Sequence, residues 1–152
     1  MITTTAIGVL FATTASATDY QIKRSLALSA PADEVWHLIG DFCDIDDWHP
    51  SVKSCSLKVI DGSLARVITT AEGAEFVHKR IAMEPGLSYT YKTISSPLPI
   101  ENFTATLSIE PFDTPLIMWT GRFSSDDPAM EKFVVEAVEA GLLAIENRFK
   151  AQ

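Results

Sequence analysis

Basic residues are scarce in this chain. Twelve Lys and Arg stand against twenty Asp and Glu, a formal net charge of −8, whereas nucleic-acid binding draws most of its affinity from clustered cations. Lys23-Arg24 and Lys79-Arg80 are the only adjacent basic pairs, and neither extends along the chain into a patch. This argues against a nucleic-acid partner and disfavours an anionic membrane surface. The acidity reads as solubility. Cysteine is nearly absent: Cys43 and Cys55 are too few for a disulfide framework and sit in no CxxC or Cys/His cluster. They read as two structural thiols, with a single bridge as the alternative in an oxidising compartment. His37, His49 and His78 share no HxxxH or HxH spacing, so no metal site is expected. Gly-rich phosphate loops, Walker motifs and Gly-x-Ser-x-Gly elbows are missing, and no cofactor is implied.

What is present fits one domain. The chain has 152 residues, 47% of them hydrophobic and 21% charged, enough to bury a core without metal or multiple disulfides. Residues 1–17 differ from the rest because they carry no charged side chain. Ala6 to Ala12 has the character of a signal-peptide apolar core, and Ala15-Ser16-Ala17 matches a small-x-small cleavage site. The segment is shorter than the roughly 20 apolar residues that span a bilayer. Its n-region lacks Lys and Arg, and an extra strand or a tail is the competing reading. Export to the periplasm or outside the cell is the expectation, with a cytoplasmic protein otherwise, and residues 18–152 form the domain.

Hydrophobic period sets the order of elements. Tyr20, Ile22, Leu26 and Leu28 alternate with polar residues, predicting a strand, although Arg24 falls on the apolar side. Pro31, Asp33 and Glu34 suit a helix N-terminus, and a short helix is expected over Pro31 to Gly40, followed by a second helix or turn from Asp44 to Trp48. Strands are predicted at Val52–Ile60, Ala65–Ala71, Glu75–Met83, Ser88–Ile94, Phe103–Ile109 and Leu116–Ser124, separated by turn signals such as Asp61-Gly62 and Glu84-Pro85-Gly86. Asp127 can cap a final helix starting at Pro128, whose stripe Met130, Phe133, Val134, Ala137, Val138, Gly141, Leu142, Ile145 and Phe149 has helical spacing. Such a helix must lie on the apolar face of the sheet. The fold class is α+β, a curved antiparallel sheet of about seven strands around a long C-terminal helix.

That order, with Ala30-Pro31-Ala32-Asp33-Glu34-Val35-Trp36, Asp41-Phe42, Trp48-His49-Pro50-Ser51-Val52, Cys55, Gly62 to Arg66, Pro97-Leu98-Pro99 and Trp119, resembles the helix-grip fold of the START-like, birch-pollen-allergen-like (SRPBCC) superfamily. The resemblance is to its polyketide cyclase/dehydrase and lipid-transport branch, and an exported member is similar to the periplasmic MxaD-like proteins. It implies an internal cavity for a small hydrophobic or amphipathic molecule, with a periplasmic protein as a further partner. In enzymes of this branch similar to lachrymatory-factor synthase, a strand Arg enters the cavity beside a Glu and a Tyr. The resemblance puts Arg66 at the Arg position, Lys79 at the Glu and Phe103 at the Tyr, so both proton-transferring groups are replaced. With Arg66 and Lys79 facing the cavity, an anionic group on the ligand is favoured; an Arg66 that reaches water and a Lys79 neutralised by Glu75 are the alternatives. Trp48, Tyr91, Phe103, Trp119 and Leu142 complete the expected lining. Non-catalytic binding is preferred, with a cofactor-independent cyclase, dehydratase or isomerase as the alternative.

Overall fold

The computed structural model describes residues 16–150, and the leader expected over residues 1–17 lies almost wholly outside them. Strand β1 (Thr18–Ala27) is followed by helices α1 (Ala32–Ile39) and α2 (Ile45–Trp48). Six strands come next: β2 (Val52–Ile60), β3 (Ser63–Thr70), β4 (Glu75–Glu84), β5 (Ser88–Ser95), β6 (Glu101–Glu110) and β7 (Leu116–Ser125). Helix α3 (Ala129–Lys150) ends the described chain. The strands form one antiparallel sheet in the order β1-β7-β6-β5-β4-β3-β2, the helix-grip architecture expected.

Local chemistry explains the joints. Asp61 and Gly62 both have positive φ (50° and 73°), the conformation of a two-residue hairpin loop that favours Asp-Gly, and they set Ile60 opposite Ser63. Asp127 caps α3 by accepting the Ala129 N–H at 2.9 Å through its carboxylate. Arg24, the residue that broke the alternation of β1, stands opposite Trp119 on the edge strand, and its Nε donates to Glu139 Oε1 at 2.7 Å. The edge position lets the guanidinium reach from the sheet margin to the polar flank of α3.

Helix α3 lies across the concave face and buries Met130, Val134, Val138, Leu142 and Ile145, each contributing about 1.5–3 kcal/mol of hydrophobic stabilisation. Phe133, expected in the same stripe, is 48% exposed. Gly141 permits a close approach: a Cβ there would stand 2.8 Å from both His49 Cδ2 and Trp119 Cζ3. The two cysteines form a disulfide, with Cα atoms 5.4 Å apart, that fastens the α1–α2 connection to β2. The Cys55 N–H donates to Asp46 Oδ2 at 3.0 Å beside it.

Candidate functional site

Between the first half of α3 and the concave face lies a cavity of about 190 Å³. Ile68, Phe76, Tyr91, Phe103, Trp119, Val134 and Val138 make its wall. Its exposed residues, Ser51 and Phe133, mark the mouth. Ser125 ties the β5–β6 connection to the start of α3: its hydroxyl donates to Pro99 O at 2.6 Å and accepts the Asp127 N–H at 3.1 Å.

The polar centre is a chain of three groups from β3, β4 and the α1–α2 connection. In the β3–β4 register Arg66 stands opposite His78, so both face inward. Arg66 is wholly buried; its Nη1 donates to Phe42 O at 2.8 Å and its Nε to His78 Nδ1 at 3.3 Å. No carboxylate pairs with it among the described residues, and Nη2 has no partner. The rings of Phe42, Tyr91 and Tyr89, 4.3, 5.0 and 5.8 Å from its guanidinium carbon, supply cation–π attraction instead.

This bond decides the state of His78. A ring nitrogen that accepts from Arg66 carries no proton, so the neutral imidazole holds its hydrogen on Nε2. Burial, and secondarily the Arg66 charge, holds the His78 pKa well below the ordinary histidine value. His78 lines the cavity, and Nε2–H makes no hydrogen bond to protein among the described residues. Its ring stacks on Tyr91 at 4.6 Å. Trp119 Nε1 donates to Tyr91 Oη at 3.3 Å, leaving the phenol proton free to donate. Burial raises the Tyr91 pKa to about 12, against the opposing pull of Arg66. The wall thus offers N–H and O–H donors.

Of the residues expected to line the site, Tyr91, Phe103 and Trp119 do so. Arg66 is one layer back, behind His78. Trp48 is buried beside the cavity, edge-on to Trp119 with ring centroids 5.9 Å apart, and Leu142 packs in the core outside the wall. Lys79 lies on the opposite face of the sheet, because it neighbours the inward His78, and its Nζ pairs with Asp61 Oδ2 at 3.3 Å. Glu75, the partner suggested by sequence, is not the one used. His49 is 8% exposed, lines the cavity and clamps α3: it accepts the Ser51 N–H through Nδ1 at 3.2 Å, and its Nε2 lies 3.1 Å from Ala137 O. Burial lowers the pKa of His49 too. His78 is the residue the sequence reading missed. Its signal was cross-strand pairing: a β3–β4 hairpin that turns Arg66 inward must turn its partner inward as well.

Comparison with solved structures places this architecture. A protein of Bacillus thuringiensis superposes with a TM-score of 0.77 at 24% identity, over 86% of this chain and 98% of that one. The protein XoxI of Bacillus cereus gives 0.75 at 25%, over 85% and 94%. The Zhui aromatase/cyclase of Streptomyces gives 0.72 at 13%, over 88% and 94%, a likeness of fold alone. No curated protein sequence matches. The sequence profile of one family, described as polyketide cyclase / dehydrase and lipid transport, covers residues 20–150; the chain belongs to that family.

Proposed function

We propose that the chain binds a small hydrophobic or amphipathic organic molecule, about the size of one substituted aromatic ring, and holds it without chemical change as a carrier or accessory protein of the periplasm. One observation carries this reading: a cavity of about 190 Å³ with a largely apolar wall that includes the His78 imidazole, whose Nδ1 is held by Arg66. Apolar cavities of roughly 150 Å³ take up benzene-sized molecules. An acceptor oxygen on the ligand, whether carbonyl, phenolic or carboxylate, meets His78 Nε2–H, with the Arg66 cation behind it strengthening the donor.

The distribution of protons supports holding over turnover. Proton abstraction needs a free basic atom within reach of the substrate. No Asp, Glu, Lys or Arg among the described residues lines the cavity. His78 Nδ1 is taken by Arg66, both nitrogens of His49 are engaged, and Tyr91 is kept protonated. The enzymatic reading, a cofactor-independent cyclase, dehydratase or isomerase, is favoured by one feature: the donors of His78 and Tyr91 suit polarisation of a carbonyl. The signal-like leader and the disulfide support a periplasmic setting.

Native mass spectrometry of the protein purified from its own host tests the proposal. The expected result is a bound species of single-ring size that is recovered unchanged after incubation. Recovery of a transformed compound would move the assignment to the enzymatic reading, and a ligand far larger than the cavity would overturn both.

A further inference from the structure

Strand register assembles a feature that no stretch of sequence carries. On the convex face, away from the cavity, Lys58 stands opposite Ala65, Ala65 opposite Lys79, and Lys79 opposite Lys92. The row continues through Thr104 to Arg122. Four cations from four strands therefore share one line perpendicular to the strands, and Lys23 on β1, opposite Thr120, adds a fifth beside Arg122. With strands about 4.8 Å apart, the row is roughly 25 Å long. Lys23, Lys58, Lys92 and Arg122 are exposed and form no ion pair among the described residues, while Lys79 shares Asp61.

Acidic side chains on the same face sit toward the strand ends. Asp19, Glu75 and Glu101 lie on one side of the row, Glu84 and Glu110 on the other, by the same registers. A narrow positive band thus runs between two negative margins in a chain of net charge −8.

We infer that this band docks an acidic polypeptide segment of a partner protein, laid across the strands from β2 to β7. The Debye length of about 8 Å at physiological salt hides the acids of the far pole from a ligand seated on the band. A membrane plane cannot avoid the margins, because a flat anionic surface meets the acids as well as the cations. Nucleic acid is poorly served too: strong binding neutralises about 6–10 phosphates, more than the five cations here. A single extended or helical chain is narrow enough to follow the row, and Thr104, Thr106 and Thr120 offer hydroxyls beside it. The surface is separate from the cavity, so ligand binding and docking can occur together.

The test titrates the protein with a fluorescein-labelled poly-glutamate peptide, read by anisotropy and by backbone amide shifts. Saturable binding that weakens steeply with salt, with shifts along β2, β4, β5 and β7, is expected. Lys92→Glu with Arg122→Glu should lose about tenfold or more in affinity, since two attractions become repulsions. Lys92→Ser with Arg122→Ser should lose less, and Arg148→Glu, far from the band, should change nothing. Melting of each variant confirms the fold. Equal binding by the double charge reversal, or no binding by the wild type, would overturn the proposal. So would tighter binding to phosphatidylglycerol vesicles or to an oligothymidylate strand than to the peptide.

Discussion

Arg66 donates through Nε to Nδ1 of His78, and this bond joins a buried cation to the cavity. It leaves His78 neutral, fixes its proton on Nε2 and gives an apolar space one directional contact. The expectation that Arg66 touches the ligand itself becomes a proposal that it acts through His78, as a positioning residue.

Nitrogen-15 spectra of the imidazole should report His78 as the neutral Nε2–H form at neutral pH and at the ordinary histidine pKa, because burial and Arg66 both oppose protonation. In Arg66→Met the second cause vanishes, so the pKa should rise part of the way toward the ordinary value while burial still holds it down. A protonated His78 at neutral pH in the wild type contradicts the assignment.

Arg66→Met should also leave the melting temperature of the ligand-free protein unchanged or higher. No carboxylate among the described residues is stranded by the change, and removing a buried cation relieves its desolvation cost. A sharply lower melting temperature would show that the Phe42 and His78 bonds outweigh that cost.

Stability should depend on pH through the two buried histidines. Both have folded pKa values below the unfolded value of 6.5, so the unfolded state takes up their protons first. The contribution is complete above about pH 6.5 and declines as pH falls toward the folded values, by at most about 1.4 kcal/mol per pH unit for each histidine. Urea unfolding at several pH values between 5 and 8 measures the slope. In His78→Gln, whose carbonyl can still accept from Arg66, the slope should fall by one proton.

Gly141→Ala should destabilise the fold by about 1–3 kcal/mol, the scale of core overpacking, because the new methyl meets two rings rather than flexible chain ends. Leu142→Asp should be more severe, placing an unpaired carboxylate at a position 4% exposed. Thermal melts rank the two, and a Gly141→Ala melt equal to wild type would show that α3 can lift away from His49 and Trp119.

Most of the architecture was legible because it rests on local period and turn chemistry. Asp61-Gly62, Asp127 and the α3 stripe each announce an element boundary through a known backbone requirement. The site was legible only in part. Tyr91, Phe103 and Trp119 lie on the cavity wall, but Lys79 and His78 are adjacent in sequence and point to opposite faces. A one-residue error in register exchanges their roles completely. Phe133 belongs to the apolar stripe and yet stands at the mouth, since the cavity removes the surface that would have covered it. The basic row on the convex face was invisible for a similar reason: its members are 13 to 99 residues apart in the sequence and meet only through pairing.

The measurement closest to the central claim is the affinity of the wild type for acetophenone against cumene, which have nearly the same shape but differ by one acceptor oxygen. The same pair is then measured with Arg66→Met combined with His78→Phe, in which both hydrogen-bonding partners are apolar. The account predicts that both compounds occupy the cavity, shifting resonances of Ile68 and Val138, and that the double variant loses about three- to tenfold of the preference for acetophenone relative to cumene, the value of one hydrogen bond. An unchanged preference, or no binding of either compound to the wild type, would contradict it.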